Sequence, residues 1–256
     1  MLVLLPPSEG KAPGGTMRPL DLDQLSFPSL TPTREQLIAV VQDLARRRPA
    51  QLRAALGLSA RQDAAVEADA ALTTSPTLPA MRRYTGVLYE ALDHASLSGG
   101  ALRRANSSLV VASALFGLVR PADRIPAYRL SGPTRLPGFG GLAAHWRPAL
   151  EAALIGLTGL AAHGGLVIDL RSGPYAALAR VTGAVQVRVL RDEHGVRSVV
   201  SHDNKHIKGR LARALCETGA RHARDVAEVG RTVADAIEVD GPRVDLVLHG
   251  LASGRT

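Results

Sequence analysis

Three short runs of this chain carry almost nothing but apolar side chains: LVLL at 2–5, LVVA at 109–112 and LVIDL at 166–170. A strand with one wet face alternates polar and apolar residues, and these runs do not alternate. They read as strands buried on both faces, at the centre of a sheet that helices cover on either side. The first run is stopped by Pro6-Pro7, which cannot continue a ladder. That pattern predicts an α/β protein. The chain has 256 residues, ample for a sizeable core, and its 46% hydrophobic and 21% charged residues exclude global disorder.

Between the first two strands, Thr33 to Arg48 has Leu37, Val40, Val41 and Leu44 on one helical face. A second helical piece covers 51–56, the sequence Leu56-Gly57-Leu58 breaks it, and Ser59 caps a third piece over 60–72. Helix, tight apolar–Gly–apolar hairpin, helix is a unit that can offer backbone N–H groups and a helix start to a phosphate. It is equally the pattern of an ordinary turn between packed helices. Arg46, Arg47, Arg48, Arg53 and Arg61 surround Gly57 and are the candidate DNA contacts. Further on, 186–190 and 196–201 read as a hairpin around Asp192-Glu193-His194-Gly195, 205–218 as an amphipathic helix, and 245–248 as a last strand. The organisation expected is one α/β domain over 1–256, a mixed sheet with surrounding helices and a helix-hairpin-helix subregion at about 33–72.

The net charge is +8, from 31 Lys and Arg against 23 Asp and Glu. A basic surplus attracts polyanions; an Arg-rich composition of this kind also follows from codon usage. The single cysteine, Cys216, cannot make an internal disulfide and sits in the apolar-periodic run with Leu211 and Leu215, so a small buried hydrophobe in a reducing compartment is expected. The start of the chain lacks the basic lead of a signal peptide, and no apolar window spans a membrane. A cytoplasmic location follows.

No phosphate-binding loop, dinucleotide fingerprint, cysteine pair or H-E-x-x-H spacing is present, and His202 with His206 alone is a weak metal signal. No cofactor and no metal are expected, and no catalytic residue is assigned. Four polar clusters instead leave predicted strands: 7–11 (PSEGK), 117–123 (GLVRPAD), 169–175 (DLRSGPY) and 205–210 (KHIKGR). Open α/β sheets place ligands at such strand ends. Each cluster alone reads as a surface turn. Together they supply Lys, Arg, Ser and a few carboxylates, a composition suited to a small anionic ligand. Asp123 either lines that cleft or pairs with Arg120 to orient it.

The same segments resemble the YaaA family of peroxide stress proteins. Leu115 to Asp123 followed by Tyr128-Arg129-Leu130 is similar to its G-[LV]-[LV]-R-P-x-D and Y-R-L motif. Pro7 to Lys11 resembles its P-x-x-K start, Tyr84 to Tyr89 its F-x-G-x-V-Y segment, and Leu142 to Trp146 its L-x-x-x-W. Ile168 to Tyr175 is similar to N-L-x-S-x-E-Y, and Ser201 to Arg213 to S-x-x-x-K-x-x-R-G-x-x-x-R. The order is kept over nearly the whole chain. Asp169 stands where the family has Asn and Pro174 where it has Glu, the first loop is slightly longer, and the stretch after Thr218 diverges, so the chain reads as a separate branch. The resemblance implies a single α/β fold of unusual topology with a helix-hairpin-helix, a basic cleft, binding of double-stranded or branched DNA, and a role in limiting intracellular iron and oxidative damage. It also implies that Ser8, Lys11, Tyr89, Arg120, Asp123, Tyr128, Arg129, Asp169, Ser172, Tyr175, Lys205 and Lys208 face one cleft. The alternative to a DNA-binding stress protein is an enzyme or binder acting on a nucleotide, nucleobase or similar anion.

Overall fold

A computed structural model describes residues 1–162, 165–199 and 201–249. Strand β1 (Leu2–Leu5) lies between β2 (Leu109–Ser113) and β4 (Val167–Asp169), parallel to both, with Val3 opposite Leu109 and Leu2 opposite Val167. All of β1 and β2 is buried. Each fully buried Leu or Val contributes about 1.5–3 kcal/mol relative to exposure, which is why these three unalternating runs form the middle of the sheet.

The sheet continues beyond β4 with β5 (Val185–Glu193) and β8 (Arg243–His249), both parallel. Its antiparallel members are β3 (Gly117–Val119) beside β2, β6 (Val196–Ser198) beside β5, and β7 (Ala236–Asp240) on the far edge beside β8. The eight strands make a mixed sheet, so the fold is α/β as expected. The sequence reading carried β6 on to Ser201, but Ser201 opens the next helix; it also missed β7, whose side chains are largely exposed.

The helical arm consists of α1 (Thr31–Arg47), α2 (Pro49–Ala55) and α3 (Asp63–Ala70), broken around Gly57. Leu37, Ile38, Val41, Leu44 and Ala45 form the buried stripe of α1. Next come α4 (Val87–Leu92), α5 (Gly99–Ser108) and α6 (Leu142–Ala162), then α7 (Ser201–Thr218) and α8 (Ala223–Gly230). Helix α4 packs directly on α7: a Cβ at Gly209 would overlap the Leu88 carbonyl. None of the described helices is long and apolar enough to cross a membrane.

The long segment after β1 looks unstructured in sequence yet is tied down by one buried arginine. Arg83 donates to the carbonyls of Ala12, Gly14 and Ile125. The segment adds a small strand, Met17–Pro19, which pairs with Pro76–Pro79. The guanidinium fork satisfies several carbonyls that a polar loop would otherwise leave unpaired.

Candidate ligand site at the strand ends

Lys11 follows β1 and the Pro6-Pro7 stop, and its backbone pairs with Tyr84 in an isolated antiparallel bridge. Its side chain turns back, so that Nζ donates to the carbonyls of Ser8 (2.9 Å) and Glu9 (3.3 Å). Nζ lies 4.1 Å from the centroid of the Tyr128 ring and 5.7 Å from that of Tyr84, a cation facing two aromatic rings.

The chain has four tyrosines, and all four meet here. Tyr84 and Tyr89 stack at 5.3 Å, the Tyr84 and Tyr128 hydroxyls are 2.9 Å apart, and the Tyr128 hydroxyl is 2.9 Å from Ser113 Oγ. Tyr89 Oη donates to the Pro6 carbonyl, and Tyr175 Oη accepts from the Gly132 amide. Burial is the main cause that raises every one of these phenols above its ordinary value, Tyr84 to about 12; Tyr89 and Tyr128 each also feel Tyr84 and Tyr175. They stay neutral at physiological pH. Lys11 itself is held down to about 7, first by burial and then by the neighbouring Arg129, against the pull of Asp69 and Glu9.

Asp69 comes from the last turn of α3, on the arm. It is fully buried; Oδ1 accepts from the Arg129 amide at 2.8 Å, while Oδ2 is enclosed without a hydrogen-bond partner. Burial raises its carboxyl to about 7, opposed by the Arg129 amide, Lys11 and Arg129. A buried oxygen of this kind is costly unless something donates to it. The Arg129 guanidinium binds the exposed Glu9 carboxylate at 2.9 Å, at the rim of the site.

Beside this group, at the end of β4, Arg171 forks onto Asp169 through Nε (2.9 Å) and Nη2 (2.8 Å), both buried. Arg171 Nη1 donates to the Tyr175 carbonyl, and Lys208 Nζ donates to the Arg171 carbonyl at 3.4 Å. Burial lowers Lys208 to about 8, against Asp169. A groove of about 800 Å³ has Tyr84 and Tyr89 in its wall and is edged by Arg82, Arg124, Asp93 and His94; Lys11 is not part of its wall.

The structure thus brings Ser8, Lys11, Tyr89, Tyr128, Arg129 and Tyr175 together. Asp169 and Lys208 both hold Arg171, and Asp169 with Arg171 lines a separate cavity of about 380 Å³ beside Arg180 and Gln186. Ser172 accepts through its carbonyl from the amides of Tyr175 and Ala176, and Lys205 is exposed on α7. Arg120 and Asp123, expected in the same cleft, stand apart from it. Strand β3 runs antiparallel to β2, with Gly117 opposite Ser113 and Val119 opposite Val111, so the chain after it leads back along β2 away from Ser113. There Asp123 accepts from Ser26 N, Ser26 Oγ and the Arg120 amide, while the Arg120 guanidinium donates to the Ser107 carbonyl and faces the Phe27 ring. Asp123 orients the backbone of Arg120, not its side chain.

Sequence reasoning missed Asp69, Tyr84, Ser113 and the rim role of Glu9. Asp69 follows Val66 by three residues on the buried face of α3. A carboxylate at a core-periodic position was the signal that pointed to it.

On the arm, Gly57 adopts φ +63°, the left-handed region. The amides at the turn already have partners: Gly57 to Ala54 O, Leu58 to Arg53 O, Ser59 to Gln62 Oε1. Arg47 and Arg48 pair with Asp43, Arg53 with Asp63, and Arg46 donates to the Ala70 carbonyl; Arg61 is exposed.

Residues 1–233 match the model of the family described as peroxide stress protein YaaA. A UPF0246 protein of Corynebacterium efficiens is 46% identical over 95% of this chain and 97% of its own length. One from Streptomyces coelicolor is 44% identical over 94% of each. A more distant one, from Cereibacter sphaeroides, is 29% identical over 88% of this chain and 90% of its own.

Proposed function

The chain belongs to the YaaA family of peroxide stress proteins, and from that premise we propose that it works by binding a small anion, of nucleotide, nucleobase or similar type, in the tyrosine-walled site around Lys11. The observation that carries this reading is the meeting of all four tyrosines with Lys11, Arg129 and the unpartnered Asp69 Oδ2 at the ends of parallel strands β1, β2 and β4. Two cations beside one another, one of them largely desolvated, are relieved by an incoming anion, and Asp69 Oδ2 offers an acceptor to a ligand N–H or O–H. The one cysteine is not the peroxide-reactive group: Cys216 is buried and burial pushes its thiol up to about 11.

Calorimetric titration with a nucleotide and nucleobase series and inorganic phosphate tests the reading. Lys11→Met should weaken the best ligand by about tenfold or more. No binding of any of them at millimolar concentration would refute it.

DNA binding is the second reading. The +8 charge and the exposed arginines of the arm support it. Their ion pairs with Asp43 and Asp63 are solvent-exposed and weak, so a phosphate can exchange with them.

A further inference from the structure

Positive charge in this chain is supplied by 28 arginines and only three lysines: Lys11, Lys205 and Lys208. What lysine adds over arginine is an amine that can shed its proton and become a nucleophile. Lys11 is built for that. Among the described residues no carboxylate pairs with its Nζ, which is held only by two backbone carbonyls, and the nearby Glu9 carboxylate is taken by Arg129. The aromatic rings of Tyr84 and Tyr128 cover it. Asp69, with one oxygen unpartnered, belongs to the same electrostatic group.

We propose that Lys11 is a nucleophilic lysine that condenses with the carbonyl carbon of a small anionic aldehyde to form an imine. This rests on the reading of the strand-end group as a small-ligand site and names its substrate class. In the first step the neutral amine attacks the carbonyl carbon, a C–N bond forms, and the carbonyl π pair moves to oxygen. A proton leaves Nζ for the Asp69 carboxylate and is returned to the oxygen. The Asp69 carboxylate then takes the second proton from the carbinolamine nitrogen and passes it to the hydroxyl, which leaves as water while the nitrogen lone pair closes the C=N bond, so that amine and aldehyde give imine and water and Asp69 is left as it began. Arg129, beside Lys11 at the rim, offers the charge for the aldehyde's acid group.

The charged groups acting on Lys11 are Arg129 and Arg83, which favour the neutral amine, and Asp69 and Glu9, which oppose them. Burial adds to the first pair, so a substantial share of Lys11 is neutral at physiological pH. Asp69 is held in the same range and can both take and return a proton.

The test treats the full-length protein with glyoxylate, and separately with pyridoxal 5′-phosphate, then with borohydride to fix any imine, and maps the modified lysine by mass spectrometry. At about pH 7.5 the Lys11 peptide should be labelled about tenfold or more faster than the peptide of exposed Lys205. The rate should rise through about pH 7, following the amine. Asp69→Asn, checked for an intact fold by circular dichroism, should slow labelling several-fold. Equal labelling of Lys11 and Lys205 by both reagents, or a Lys11 rate that rises only above about pH 9, overturns the proposal. Calorimetry separates the two claims: glyoxylate or phosphate binding without Lys11 labelling sinks the imine and leaves the ligand site, and absence of both binding and labelling sinks both.

Discussion

Tyr128 serves Lys11 and Ser113 at once: its ring centroid lies 4.1 Å from Lys11 Nζ, and its hydroxyl lies 2.9 Å from Ser113 Oγ. The ring and the hydroxyl can be removed separately. Tyr128→Phe keeps the ring but strips a bond from both Ser113 and Tyr84, so a loss of about 1–2 kcal/mol in urea unfolding is expected. Tyr128→Leu also removes the aromatic face under the cation and should cost more. Equal stability of the two variants would mean that the ring contributes nothing to holding Lys11.

Asp69 and Lys11 give the stability of this protein an unusual pH profile. The folded state holds the Asp69 proton up to about 7 against an ordinary 3.8, so it binds more protons than the unfolded chain across that window, and stability falls as pH rises through it. Lys11 is depressed to about 7 from 10.5, so the unfolded chain binds more protons above 7 and stability rises from there towards 10.5. The two contributions meet in a minimum near neutrality. Asp69→Asn abolishes the acidic limb. Its stability relative to the native protein should grow by on the order of 3 kcal/mol between about pH 4 and pH 8. Parallel curves for the two proteins over that range would show that Asp69 ionises freely in the fold.

The arm decides the DNA reading. Changing Arg47, Arg48 and Arg61 together to Gln should lower affinity for duplex DNA in gel-shift titrations and flatten its log–log salt dependence by about one unit per lost phosphate contact. If affinity and slope are untouched, the turn at Gly57 serves only to pack α2 against α3.

The sheet centre was legible because β1, β2 and β4 come from short apolar runs without alternation, and a run of that kind fits little but a strand covered on both faces. The position of Arg120 and Asp123 was not. The turn between β2 and β3, Ala114-Leu115-Phe116, is wholly buried and carries no polar punctuation. Its carbonyls are satisfied from outside the turn, by Trp146 Nε1 on Ala114 and Arg34 Nε on Phe116. The chain therefore reverses within these three residues, with no sequence signal for it, and the polar cluster after it leads back along β2 away from Ser113. Arg34 and Arg83 were hidden for a related reason: in a chain this rich in arginine, a fully buried one looks like any solvated charge until the carbonyls it gathers are seen. Of the site itself, the sequence offered Lys11, Tyr89, Tyr128, Arg129 and Tyr175 through their motifs, whereas Asp69 arrives from a helix whose surface charges concealed it.

The gathering of every tyrosine at one place divides the ultraviolet spectrum of the protein by location. The only tryptophan, Trp146, is buried on α6, where its ring covers Gly117 at the β2–β3 turn. Tyrosine absorbance therefore reports on the surroundings of Lys11, and tryptophan emission reports on the seating of α6 against the sheet. A molecule entering beside Lys11 perturbs the first signal while the second stays fixed, so occupancy can be followed optically without attaching any label.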